Sequence, residues 1–143
     1  MNQNYLDNLI EYFRRYNKKS PFESFFNIEV DELKEGKSVY KINTDEKHTN
    51  RYEYVHGGTL SSLCDVAMGA ACITLGKKIV TIDMSVSYLK PTPKGAVLTV
   101  IGEVVSRGST IIHTEGKIFD EEGQLLVKSH GAYYIKGDFE IKE

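Results

Sequence analysis

Tryptophan is absent from the chain, proline occurs three times and cysteine twice. So few prolines leave most of the backbone free to enter helix or strand. The two cysteines, Cys64 and Cys72, fall in a segment that reads as a single helix. At about 1.5 Å rise per residue they stand roughly 12 Å apart, too far for a disulfide between them. No Cys-x-x-Cys pair occurs, which argues against a zinc site, and no metal or redox cofactor is expected. A basic excess is also missing: 18 Lys+Arg stand against 20 Asp+Glu, a formal charge of −2. A nucleic-acid partner is therefore not expected. No segment approaches the ~20 apolar residues of a membrane span. The opening MNQNYLDNLIEYFRRYNKK has neither the apolar core nor the small-residue cleavage site of a signal peptide, so a cytoplasmic location is expected.

What remains is ordinary globular material. A composition of 41% hydrophobic and 27% charged residues is that of a folded domain rather than a disordered chain. A chain of 143 residues fits one domain and buries roughly 70% of its unfolded surface, enough for stability without disulfide or metal.

Leu6, Leu9, Ile10 and Phe13 follow the i, i+3, i+4, i+7 spacing of an amphipathic helix, which ends at Ser20-Pro21. The pattern from Phe22 to about Asp31 reads as extended, Gly36 marks a turn, and Tyr40 and Ile42 alternate with polar residues in a second strand. His48 to His56 reads as a loop leading into a helix. Gly57 to about Leu75 (GGTLSSLCDVAMGAACITL) is apolar almost all round and rich in small residues, which predicts a buried helix that a sheet approaches closely, with Gly76 as its stop. Ile82, Met84, Val86 and Tyr88 then alternate with Asp83, Ser85 and Ser87 as in a half-buried strand. Lys90 to Gly95 is a turn, and Val97–Val105, Thr110–Phe119 and Gln124–Ile135 are three more strands. The predicted class is α+β: one long antiparallel sheet with the apolar helix packed on it. Residues 1–20 form an extra N-terminal helix, 21–137 the domain and 138–143 a tail.

Two features of the apolar helix bear on chemistry. Asp65 is its one ionisable carboxylate, and a carboxylate inside a buried helix is costly unless it is paired, hydrogen-bonded or protonated. Either it is held for a function, or Ser61, Ser62, Asp65 and Gly69 form a solvated face. At the helix start, His56-Gly57-Gly58 offers unpaired backbone N–H groups beside glycines that let a ligand approach, a place suited to a developing oxyanion. The same glycines also suit a sharp loop-to-helix turn. Gly57 and Asp65 are separated by about 12 Å along the helix axis. A single chain therefore cannot readily present both groups to one carbon. A symmetric dimer with antiparallel helices pairs Gly57 of one subunit with Asp65 of the other.

Asn50-x5-His56-Gly57-Gly58-x6-Asp65, followed by Thr81-Ile82-Asp83-Met84-Ser85-Val86-Ser87-Tyr88-Leu89-Lys90-Pro91 and Gly95, resembles the hotdog-fold thioesterases of the phenylacetate-degradation type within the 4-hydroxybenzoyl-CoA thioesterase superfamily. The likeness runs from about Phe25 to Ile135. It implies a hotdog fold, a long antiparallel sheet wrapped around a central helix, and hydrolysis of an acyl-CoA thioester to free acid and coenzyme A. By the resemblance, Asp65 is the catalytic carboxylate, acting as nucleophile or as general base. Gly57 supplies the amide that polarises the carbonyl, Asn50 and His56 hold the carbonyl, sulfur or lytic water, and Thr81 orients Asp65. Thr81 nevertheless shares strand parity with Asp83, Ser85 and Ser87, not with the apolar row. The resemblance also implies a homodimer or homotetramer with active sites between subunits. Lys90, Arg107, Gly108 and Ser109, at turns and strand ends, are candidates for holding the coenzyme A portion. His48, His113 and His130 read as ordinary polar positions.

The other reading from a different class is a non-catalytic, metabolite-sensing acyl-CoA-binding module. It calls for a signalling partner region, typically DNA-binding, and the single N-terminal helix is too short for a helix-turn-helix.

Overall fold

The computed structural model describes residues 2–142. Helix α1 (Gln3–Lys19) is capped by the Asn2 side chain, which accepts from the Asn4 amide, and Lys18 and Lys19 stand in its last turn, where the helix dipole favours positive charge. It buries Leu6, Leu9 and Phe13 and is tied to the rest of the molecule by Tyr5, whose hydroxyl donates to the Ile73 carbonyl at 2.8 Å. Pro21 ends α1, but the chain does not then become extended as its sequence suggests. Ser20 is extended, and Pro21 opens a second short helix, α2 (Pro21–Phe25). The same proline that cannot continue one helix is preorganised for the first turn of the next.

Six strands follow: β1 (Glu29–Lys34), β2 (Lys37–Asn43), β3 (Lys77–Tyr88), β4 (Val97–Arg107), β5 (Ile111–Phe119) and β6 (Leu125–Asp138). They form one sheet in the order β1-β2-β4-β5-β6-β3, antiparallel throughout. The long apolar helix, α3 (Gly57–Ile73), enters the chain between β2 and β3 and packs against β2, β3, β4, β5 and β6. This is the hotdog arrangement, with α1 added to it. Among the described residues, no helix is long and apolar enough to cross a membrane.

The approach of α3 to the sheet is set by missing side chains. Gly102 on β4 pairs with Gly116 on β5, and Gly131 on β6 lies next to them, opposite Thr114. A Cβ at Gly102 would come under 3.0 Å from the Ala67 carbonyl, and one at Gly116 or Gly131 would press on Met68 at 3.2 and 3.1 Å. Met68 itself is fully buried. Ser38, fully buried on β2, donates to the Ala67 carbonyl at 2.6 Å, which fixes the helix along its length as well as its height.

Cys64 and Cys72 are both free and buried in α3. Burial pushes the Cys64 thiol up to about 11 and the Cys72 thiol up to about 12, so both stay protonated well above neutral pH and are poor nucleophiles.

Three expectations follow from this packing. Gly102→Ala drives a methyl into the α3 backbone and should destabilise the fold by about 3 kcal/mol, read as a lower urea midpoint. At Gly69 in α3, by contrast, an added Cβ meets only Ile79 and Tyr133, at 3.6 and 3.8 Å. Gly69→Ala should therefore stabilise by up to about 1 kcal/mol, the helix-propensity difference. In thiol titration, neither cysteine should react in the native protein at pH 8, and both should react once it is unfolded.

Candidate active site

Asp65 sits midway along α3, half-buried, and two hydroxyls from different strands hold its carboxylate. Tyr133 on β6 donates to Oδ1 at 2.8 Å, and Thr81 on β3 donates to the same oxygen at 3.0 Å. Tyr133 is almost completely buried. Burial first, and then the nearby Asp65 charge and the hydrogen bond to it, push its phenol well above the ordinary range. It therefore remains a donor at any working pH. With both bonds on Oδ1, Oδ2 is left available for water or for a substrate carbon.

Thr81 reaches Asp65 because β3 changes parity. Thr81 pairs with Tyr133 and Asp83 pairs with Ala132, so Ile82 is the extra residue of a β-bulge. On one side of the bulge Ile79 and Thr81 face α3; on the other, Met84, Val86 and Tyr88 do. Ile82 belongs to neither row and is 49% exposed, so the sequence alternation Ile82-Met84-Val86-Tyr88 is broken at its first member. Tyr133 escaped the sequence reading. Its signal lies in the polar row Lys128-His130, which marks the outer face of β6 and leaves Ser129, Gly131 and Tyr133 facing inward.

The start of α3 is a second cluster. His56 is its N-cap and accepts the Gly58 amide on Nδ1 at 2.8 Å. An accepting Nδ1 means that the neutral ring carries its proton on Nε2. Gly57 opens the helix, so its N–H has no intrahelical acceptor. Its carbonyl accepts from the Tyr88 hydroxyl at 3.0 Å, which locks this turn onto the end of β3. Asn50 folds the preceding loop around its own Oδ1, which accepts from the Tyr52 and Tyr54 amides at 2.8 and 3.2 Å. That network assigns the amide orientation and leaves the Asn50 Nδ2 free to donate.

These clusters do not meet within one chain. Asn50, Gly57, Tyr88 and Lys90 border a cavity of about 380 Å³. Asp65, Thr81 and Tyr133 border a different one, of about 360 Å³, whose other walls come from α1, α2, the following turns of α3, Tyr40, Ile79 and Phe139. The candidate coenzyme A residues divide in the same way. Lys90 lies in the Gly57 cavity. Arg107 ends β4 opposite Ile112, which pairs in turn with Tyr133, so the Arg107-Gly108-Ser109 turn lies toward the Asp65 end of the sheet. Its shape is held by the Gly108 amide, which donates to the Ile111 carbonyl at 2.9 Å. Two buried side-chain atoms lack a partner among the described residues, Asn17 Nδ2 and Thr92 Oγ1. Asn17 borders the Asp65 cavity and Thr92 the Gly57 cavity.

Comparison with known proteins places this geometry among relatives. The model of the Thioesterase superfamily matches residues 52–127. A hypothetical thioesterase protein from Streptococcus pneumoniae TIGR4, solved with coenzyme A, is 32% identical and superposes with a TM-score of 0.78, covering 80% of this chain and 92% of that one. The same bacterium's protein has been solved with an aspartate and with a threonine replaced by alanine; those two positions are as far apart in its chain as Asp65 and Thr81 are here. The human acyl-coenzyme A thioesterase 13 is 27% identical over 103 residues, 70% of this chain and 74% of its own. The E. coli PaaI protein of the phenylacetic acid degradation operon shares the fold at a TM-score of 0.85 and 20% identity, over 93% of this chain and 96% of that one.

The pairing around Asp65 is testable by stability alone. Tyr133→Phe should cost about 2 kcal/mol, the worth of a hydrogen bond to a charged group. In an Asp65→Ala background the cost should drop below about 1 kcal/mol. Equal costs in the two backgrounds, measured by urea unfolding, would show that the phenol and the carboxylate are not coupled.

Proposed function

We propose that this chain, which belongs to the thioesterase superfamily, hydrolyses acyl-CoA thioesters with Asp65 as its catalytic carboxylate. The observation that carries the assignment is the Asp65 carboxylate itself: it is set in an otherwise apolar helix and fixed through one oxygen by two hydroxyls. It stands at the wall of a cavity. The coenzyme A and thioesterase relatives supply the substrate class.

In the proposed reaction the thioester carbonyl oxygen lies on the Gly57 amide, where the helix N-terminus stabilises the charge that develops on it. The Asn50 Nδ2 and the His56 Nε2–H are the neighbouring donors for that oxygen, the sulfur or the attacking water. Asp65 Oδ2 either attacks the carbonyl carbon or takes a proton from the water that does. The carbon–sulfur bond breaks and coenzyme A leaves as its thiolate. Where Asp65 itself attacked, water then cleaves the acyl–Asp65 anhydride. In either case the free acid departs, Asp65 returns to the carboxylate and the proton is given up to the thiolate or to solvent. Lys90 and the Arg107-Gly108-Ser109 turn are placed to receive the anionic parts of coenzyme A.

Two subunits make each site in this reading. Its support is the division of the donors and the carboxylate between two cavities, together with the edge of the sheet. Among the described residues, β3 pairs only with β6. Its other edge is open over 12 residues and exposes Val80 and Ile82. A long, apolar, unpaired edge is a template for another strand. A second β3 running antiparallel there would set the two α3 helices antiparallel and bring each Gly57 toward the partner's Asp65. Two free, buried thiols suit the reducing cytoplasm as the place of action.

Thiol release from a panel of acyl-CoAs tests the chemistry: the native protein should turn over and Asp65→Ala should lose at least about 1000-fold in kcat. The subunit arrangement has its own test. Asp65→Ala and Asn50→Ala proteins, each impaired alone, are unfolded together and refolded as a mixture. Shared sites predict recovery of about a quarter of native activity, because half the dimers are mixed and each mixed dimer has one intact site. Sites within single chains predict no recovery.

A further inference from the structure

His48 reads in sequence as an ordinary polar position, but in the fold it is 1% exposed. It closes a single 3₁₀ turn, Glu46–His48, and both of its ring nitrogens are engaged. Nδ1 accepts from the Asp45 amide at 3.0 Å, and Nε2 lies 2.6 Å from the carbonyl oxygen of Phe25. A carbonyl can only accept, so Nε2 carries the proton and the ring is neutral. Phe25 meets the ring edge-on at 5.4 Å between centroids, and Phe26 stacks on it at 6.0 Å. Two bonds and two flanking rings leave the imidazole one orientation.

The main chain of the same residue faces the start of α3. The His48 carbonyl accepts from the His56 amide at 2.8 Å and from the Thr59 hydroxyl at 3.1 Å. His56 caps α3, and Thr59 lies in its first turn. The loop of residues 49–55 therefore starts and finishes at His48, and a bridge between Thr49 and Val55 joins its ends again. That loop carries Asn50. Every donor assigned above to the thioester thus depends on the placing of one residue. Asn50 follows it by two positions, and His56, with Gly57 behind it, is bonded to its carbonyl. The ring fixes that residue in turn, on the final carbonyl of α2, an acceptor without an intrahelical partner.

We propose that His48 is a positioning residue of the reaction, its bond to Phe25 making α2 the strut against which Asn50, His56 and Gly57 are set. The inference rests on the thioesterase reading and adds to it a residue remote from the substrate, since His48 borders neither the Gly57 cavity nor the Asp65 cavity. Donors to a developing oxyanion work only at hydrogen-bond distance from it. A displacement of about 1 Å can cost about a hundredfold in rate, even when its origin lies away from the reacting atoms. The 3₁₀ turn needs only the ring's bond to Asp45. The strut needs the bond to Phe25.

Two amide substitutions separate these bonds. His48→Gln presents an acceptor and a donor about as far apart as the two ring nitrogens, so it can serve Asp45 and Phe25 together. Its kcat should stay within about threefold of native. His48→Asn is one carbon shorter, keeps the bond to Asp45 and does not reach Phe25. It should lose about tenfold to a hundredfold in kcat with KM unchanged, the sign of an interaction expressed in the transition state. Thiol release from acyl-CoA is measured on protein that its urea curve shows to be fully folded under assay conditions. Should His48→Asn not fold, Phe26→Leu spares both bonds but loosens the ring, and should lower kcat about threefold at constant KM. Native kcat in folded His48→Asn, or in Phe26→Leu where it stands in, would overturn the proposal and leave the Phe25 bond a matter of stability alone. An equal loss in His48→Gln and His48→Asn would overturn it too. Absence of turnover by the native protein with every thioester would remove the thioesterase reading and this proposal with it, so the native control tells the two failures apart.

Discussion

Every feature of this molecule that bears on chemistry depends on how closely α3 lies on the sheet. Gly102, Gly116 and Gly131 form a groove across three adjacent strands in which the backbone at Ala67 and the side chain of Met68 rest. Had β4 carried even an alanine at Gly102, the helix would have to lift away. A lifted helix would carry Asp65 out of reach of hydroxyls on β3 and β6, whose bonds to it are only 3.0 and 2.8 Å long. The groove is thus a ruler for the carboxylate. Ser38, bonded to the Ala67 carbonyl, prevents sliding in the other direction.

The same ruler explains why Asp65 can be where it is. A carboxylate on an apolar helix is a local violation of the packing pattern, and such violations persist where the surroundings compensate them. Here compensation comes from the sheet, through a bulge at Ile82 that turns Thr81 inward and a buried phenol that burial itself keeps protonated. Bulge and phenol act on one carboxylate oxygen and leave the other unengaged. This is the arrangement that the proposed role of Asp65 calls for.

Much of this was legible in the residues, and the misses have physical causes. The order of elements followed from period and punctuation: the apolar, small-residue run of α3 could only be a buried helix. Spacing along α3 set Gly57 and Asp65 about 12 Å apart, and the two residues border different cavities. Thr81 was named through the family motif against the evidence of its own parity, because a bulge inverts parity without leaving a mark in the local pattern. Tyr133 was missed because its row on β6 mixes Val127, Ser129, Gly131 and Tyr133, and no hydrophobic alternation announces it. Only the polar residues of the opposite row point to its direction. The helix α2 was read as extended because Pro21 signals an end more loudly than it signals a beginning.

The division of labour between the two parts of the chain follows from these constraints. Across α3 and the central strands, the groove, the capping His56 and the bonds to Asp65 leave little room for change, since any shift there is felt at the carboxylate. Residues 2–25 are held by the Tyr5 bond to the end of α3 and by apolar packing on β1 and the core. They nevertheless supply Tyr12, Tyr16, Asn17 and Glu23 to the Asp65 cavity. Contacts that line that cavity can vary at least cost on an element whose backbone the Asp65 hydrogen bonds do not depend on. The N-terminal helix meets that condition. Its lining residues can change size and polarity without moving Asp65, whereas the same changes on α3 or β6 would alter the carboxylate's own hydrogen bonds.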